Sequence, residues 1–191
     1  MNQPTAVFIG ASAGGVAAVQ TLLKHLTNFS LPLIIVQHLP YHAQIDSHLV
    51  FASHTKLKVC EAQDKTEIQS GHVYFAPPSY HLLVEKDFSL SLSQDEPVQF
   101  ARPSIDVLFE TAATTYGPHA CGIVLTGANA DGARGLKYIH QKGGYTIVQD
   151  PNRAEVSTMP YAAIEMTKPD FIGDLPAIGK KLRAFQKVAC Q

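Results

Sequence analysis

The residues of this chain that can do chemistry stand just after its apolar runs. The first run ends in Gly10-Ala11-Ser12-Ala13-Gly14-Gly15, and a helix-like pattern follows at once. Gly10-x-Ser12-x-Gly14 fits G-x-S-x-G, in which small neighbours let a strand turn sharply into a helix with the hydroxyl projecting. A serine hydroxyl is a poor nucleophile near neutral pH. It needs a base, and the base needs a group that holds its tautomer and stabilises its charge. His38 directly follows the second apolar run, and Pro40 stiffens the chain beyond it. Asp131 lies in the loop Thr126-Gly127-Ala128-Asn129-Ala130-Asp131-Gly132 after Leu125. Ser12 as nucleophile, His38 as base and Asp131 as orienting carboxylate form one candidate set. Backbone N–H groups near Ala13 and Gly14, and the loop at Ala128, are candidates for holding a developing oxyanion.

Other readings of the small residues around Ser12 compete with this one. Dinucleotide binding wants G-x-G-x-x-G and an acidic residue ending the second strand. Ser12 stands where the second glycine belongs, and Val36-Gln37-His38 ends that strand. A phosphate-cradling loop wants Lys then Ser or Thr after its last glycine, but Gly15 precedes Val16-Ala17. The bland alternative is that Gly, Ala and Ser merely let the helix pack close to the sheet. Chain order is Ser…His…Asp, whereas an α/β-hydrolase runs Ser…Asp…His.

Parallel strands with helices between them must position these side chains. Strands are expected over residues 7–9, 33–36, 58–61, 72–76, 121–125 and 145–148, and helices over 16–26, 43–52, 103–116, 132–141, 159–166 and 175–188. Gly143-Gly144 suits a helix C-cap. Residues 81–85 and 89–93 flank Lys86-Asp87 and predict a hairpin. Continuous apolar strands alternating with helices imply a mostly parallel, doubly wound α/β sheet in a three-layer, Rossmann-like arrangement, with helices on both faces and a small antiparallel hairpin. In such sheets reacting groups gather beyond the carboxyl ends of the strands. Ser12, His38 and Asp131 all fall there.

Composition narrows the classes. The 191 residues are 46% hydrophobic and 16% charged, which suits one domain with a sizeable core spanning residues 1–191. Formal net charge is −1, and the 15 Lys and Arg are scattered, so no nucleic-acid partner is expected. The three cysteines, Cys60, Cys121 and Cys190, are far apart, which fits neither a disulfide framework nor a zinc site. Cys121, in an apolar run, reads as a buried small hydrophobe. No signal peptide or membrane span is read, so a cytoplasmic protein is expected.

Several polar residues read more simply as structure. His38 and His42 are separated by Pro40, which argues against a metal pair on one helical face; His48 and His54 read as surface residues. Arg102 reads as a solvated residue at a helix start, and Asp106 as electrostatic support for that helix's first turn. Asp150-Pro151 marks a turn, and Ser157 and Thr158 read as caps of the next helix. No metal and no organic cofactor is called for.

The motifs IGASAGG, VQHLP, EAQD, GHVYFAPPSYHLLV, RPSIDVLFETAA, LTGANADGARGL and IVQDPNRAEVSTMPYAAI occur in the order found in bacterial chemotaxis methylesterases. From about Val7 to Leu182 the chain resembles catalytic domains of the CheB type. The resemblance implies a doubly wound α/β domain and a Ser-His-Asp triad on Ser12, His38 and Asp131. It implies hydrolysis of glutamate γ-methyl esters on the cytoplasmic helices of chemoreceptors, with release of methanol, and in many members deamidation of receptor glutamines. Contact with the membrane would come only through those receptors. The residue after the nucleophile is usually Thr in that family and is Ala13 here. The usual loop resembles L-T-G-M-G-x-D-G, so its site-lining Met is replaced by Ala128. The first strand begins within ten residues of Met1, so the family's usual N-terminal phosphorelay receiver is not expected here. A related carboxylesterase on another ester, or a signalling adaptor without activity, are the alternative functions.

Overall fold

The structure is a computed structural model, and residues 3–39 and 50–186 are described. Seven parallel strands form the central sheet in the order β10-β9-β8-β1-β2-β5-β3. They are β1 (Ala6–Ala11), β2 (Leu33–Gln37), β3 (Lys58–Glu61), β5 (His72–Phe75), β8 (Ala120–Val124), β9 (Tyr145–Gln149) and β10 (Phe171–Gly173). Every pairing in this sheet is parallel; Gly10, for example, lies beside both Val36 and Val124.

Alternation along β1 divides the core. Val7, Ile9 and Ala11 face one layer, with α1 (Gly15–Lys24) and α5 (Leu175–Gln186); Ala6 and Phe8 face the other, with α2 (Ile105–Tyr116), α3 (Ala133–Gln141) and α4 (Thr158–Thr167). Both faces of β1 are fully buried, which is why the strand reads as an unbroken apolar run. The chain starts at the sheet's centre, winds outward through β2, then returns to β8 on the other side of β1. The switch in strand order therefore lies between β1 and β8, where such folds open a crevice at the carboxyl ends.

The expected hairpin is part of a three-stranded antiparallel sheet, β4-β7-β6: β4 (Thr66–Glu67), β6 (His81–Val84) and β7 (Ser89–Ser93). It is tied to α2 through the Val84 N–H, which donates to Thr111 Oγ1 at 3.1 Å. Strands β4 and β10 had no expectation; two and three residues are too few to show a period. The helix expected over residues 43–52 falls mostly outside the described residues. Val50 and Phe51 are helical and run into a 3₁₀ turn, Ala52–His54. Residues 187–188 of the expected last helix, and His42 and His48, also lie outside. Gly143 ends α3 with φ 82°, as the C-cap reading requires. Cys121 is fully buried, and burial pushes its thiol far up.

Candidate functional site

Three loops leave the sheet at its carboxyl edge. Ser12 follows β1 directly. Its N–H donates to Thr126 O at 3.0 Å, which ties the turn after β1 to the loop after β8. Gly14 takes a positive φ of 73°, which a glycine adopts without a Cβ clash, and starts α1. The carbonyl of Ser12 accepts from Gly15 N at 2.8 Å and from Gln37 Nε2 at 2.9 Å. The carbonyl of Ala13 accepts from Thr126 Oγ1 at 2.9 Å. In a trans peptide the N–H points opposite to the C=O. These tethers therefore fix the directions of the Ala13 and Gly14 N–H groups, and among the described residues neither donates a hydrogen bond. Ala128 is exposed.

Asp131 is fully buried and well supplied with donors. Oδ1 accepts from Ser104 Oγ at 2.9 Å and Asp106 N at 2.9 Å; Oδ2 accepts from Ile105 N at 2.7 Å. The carboxylate thus sits on the unpaired amides that begin α2, where negative charge is favoured. His38 Nε2 lies 3.0 Å from Asp131 Oδ2. The ring is tilted, so a proton on Nε2 does not point squarely at the oxygen, and no other described group pairs with that buried nitrogen. At 3.0 Å the contact persists despite the tilt, and a small ring rotation would align Nε2–H with Oδ2. Burial pushes the Asp131 carboxyl up, but the nearby His38 imidazole and the hydrogen bonds from the amides of Asp106 and Ile105 outweigh it and hold it below the usual range. Asp131 is therefore an ionised partner for His38.

Sequence reasoning missed the polar groups that hold this pair. Gln37, buried at the end of β2, donates through Nε2 to both Ser12 O and His38 O, at 2.9 and 2.8 Å. Asn129 Nδ2 lies 3.3 Å from His38 Nδ1, and its Oδ1 accepts from Asp131 N at 3.1 Å. Gln149, buried at the end of β9, accepts from Thr126 N at 2.9 Å. A Cβ on Gly127 would overlap Met159 and lie 2.9 Å from Ser12 Cβ, so Gly127 and Met159 wall the serine. The available signal was position: Gln37 and Gln149 are polar residues closing apolar strands at the same edge as Ser12.

Three simple readings are corrected. Asp106 lies in the first turn of α2 as expected and does more than support that helix: its buried carboxylate accepts from Gly132 N at 3.0 Å and Gly135 N at 2.7 Å, capping α3 as well. Burial, opposed by the Gly135 amide and reinforced by the charge of Asp131, raises its carboxyl. Arg102 is not simply solvated; its Nη1 donates to Gln94 O at 2.8 Å and Asp95 O at 3.1 Å. Ser157 stands at the N-cap position of α4 but its side chain makes no cap bond, because the Met159 N–H already donates to Gly127 O at 3.0 Å and Pro160 has no N–H to offer. Asp150 does build a turn, accepting from Asn152 N at 2.9 Å.

Residues 7–182 match the family described as CheB methylesterase. The chain belongs to that family. A crystal structure of the Thermotoga maritima CheB methylesterase catalytic domain superposes with a TM-score of 0.89 at 29% identity, covering 95% of this chain and 98% of that one. A Leptospira interrogans protein named "Putative protein-glutamate methylesterase/protein-glutamine glutaminase" is 48% identical over 92% of this chain and 91% of its own length. The Hydrogenovibrio crunogenus protein-glutamate methylesterase/protein-glutamine glutaminase is 36% identical over 95% of this chain, which spans 49% of that protein. Within the CheB methylesterase fold, Ser12, His38 and Asp131 occupy one edge of the sheet.

Proposed function

We propose that this chain is a protein-glutamate methylesterase acting on methylated chemoreceptor helices, with Ser12 as nucleophile, His38 as base and Asp131 as the carboxylate that orients it. The observation that carries the reading is the buried Asp131, ionised and 3.0 Å from His38 at the carboxyl edge that Ser12 shares. His38 Nε2 faces Asp131, so Nδ1 takes the proton as Ser12 Oγ attacks the ester carbonyl. The oxyanion meets the N–H groups of Ala13 and Gly14, with the loop at Ala128 as a further source; one such donor is worth about 10²–10³ in rate. The imidazolium then protonates the departing methoxide, and water cleaves the acyl-enzyme by the reverse proton route. Asp131 stays ionised throughout.

A glutamine side chain passes through the same steps with ammonia leaving, so receptor deamidation belongs to the same proposal. The route uses no metal or organic cofactor. We place the catalytic unit over residues 1–191 as one domain in the cytoplasm, reaching membranes through its receptors; no described helix is long and apolar enough to cross one.

The test is the mass of a methylated receptor before and after incubation, with Ser12→Ala as control and circular dichroism to confirm folding. Wild type should remove methyl groups and the variant none. Hydrolysis of a small chromogenic ester with methylated receptor left intact would redirect the proposal to another ester; normal turnover by folded Ser12→Ala would end it.

A further inference from the structure

We propose that Asn129 is a positioning residue that occupies the base nitrogen of His38 in the resting site and yields it to Ser12, thereby setting how reactive Ser12 is. This rests on the triad reading above. Backbone N–H groups only donate, so the Asn129 atom 3.1 Å from Asp131 N must be its carbonyl oxygen. The Asn129 amide nitrogen is thereby turned to His38 Nδ1, 3.3 Å away. That nitrogen only donates, so Nδ1 accepts with its lone pair and the ring proton sits on Nε2, beside Asp131 Oδ2. The relay begins at the amide of Asp131 and ends at its carboxylate.

The lone pair that Asn129 holds is the one Ser12 needs, because Asp131 occupies the other side of the ring. Among the described residues Ser12 Oγ makes no hydrogen bond to His38, and the proton on Nε2 is off line from Asp131. The ring rests on Asn129 rather than in its working position. At 3.3 Å the hold is long and weak, which makes it displaceable. Once His38 is protonated, its Nδ1–H faces the Asn129 N–H, donor against donor, so Asn129 must turn away. Asp131 is the charged group paired with the ring among the described residues; Asn129, its other polar partner there, is neutral.

The experiment measures the rate at which a fluorophosphonate labels Ser12, across pH, in wild type, Asn129→Ala, Asn129→Asp and Ser12→Ala. In labelling, the Ser12 Oγ–phosphorus bond forms, fluoride leaves and the serine proton passes to His38 Nδ1. Asn129→Ala should label roughly two- to tenfold faster, the worth of one neutral hydrogen bond, with the acid limb of the profile moved to higher pH. Asn129→Asp keeps an acceptor for Asp131 N but draws a proton onto Nδ1, so it should label more slowly at neutral pH. Opposite signs are the signature, since general loosening of the loop would slow both. Asn129→Ala no faster than wild type, or both variants moving together, overturns the proposal. Ser12→Ala labelling like wild type would instead overturn the triad reading beneath it.

Discussion

Replacing Asp131 by Asn keeps the shape of the side chain and removes its charge. In the folded protein the two oxygens face four donors: Ser104 Oγ and Asp106 N on Oδ1, Ile105 N and His38 Nε2 on Oδ2. An amide offers one oxygen. Whichever way it turns, an NH₂ group faces a buried backbone N–H, either Ile105 or Asp106. A buried donor left unpaired costs about 1–3 kcal/mol, and the remaining bond at the start of α2 loses its charge assistance. We expect Asp131→Asn to be less stable by about 2–4 kcal/mol. If the NH₂ takes the Oδ2 side, it also donates to Nε2 and drives the ring proton onto Nδ1, which disables the base; by analogy with other triads kcat falls on the order of 10⁴.

The pH dependence has a definite sign. The folded Asp131 carboxyl lies below its usual range, so its stabilisation is complete above the unfolded value of about 4 and is lost as pH falls through the folded one. Urea denaturation at a series of pH values should show the gap between wild type and Asp131→Asn closing below about pH 4. Ester hydrolysis at neutral pH reads the catalytic loss. A variant as stable as wild type at pH 7, or one with near-normal turnover, would refute the reasoning.

Gln37→Ala removes the donor shared by Ser12 O and His38 O, so kcat should fall by about 10² with little change in the circular dichroism spectrum. Gly127→Ala drives a methyl group against Met159 and Ser12; steady-state kinetics should show lost turnover, and denaturation a cost of about 1–3 kcal/mol. Phe109→Ala opens a cavity in the fully buried layer between α2 and the sheet, with a loss of about 3–5 kcal/mol by urea denaturation. A cost below 1 kcal/mol there would mean that the layer collapses around the missing ring.

The centre of the parallel sheet was legible because β1, β2 and β8 are buried on both faces and stand in the chain as apolar runs. The strand-end rule then singled out Ser12, His38 and Asp131. The short strands β4 and β10 were illegible because they exist by pairing with β7 and β9, and pairing leaves no period in so few residues. Asp106 misled because a carboxylate in a first helical turn ordinarily serves its own helix; here α2 and α3 pack so closely that it caps the neighbour as well.

The sequence by itself determined which residue types stand at the ends of which strands, because local pattern and side-chain chemistry are written along the chain. Tertiary structure alone decided which atoms of these residues meet. Asp131 reaches the amides of Ile105 and Asp106 across 26 and 25 positions, and Asn129 reaches His38 across 91. Such contacts follow from the crossing of helices and loops over an open parallel sheet, a property of the whole chain that no local stretch encodes.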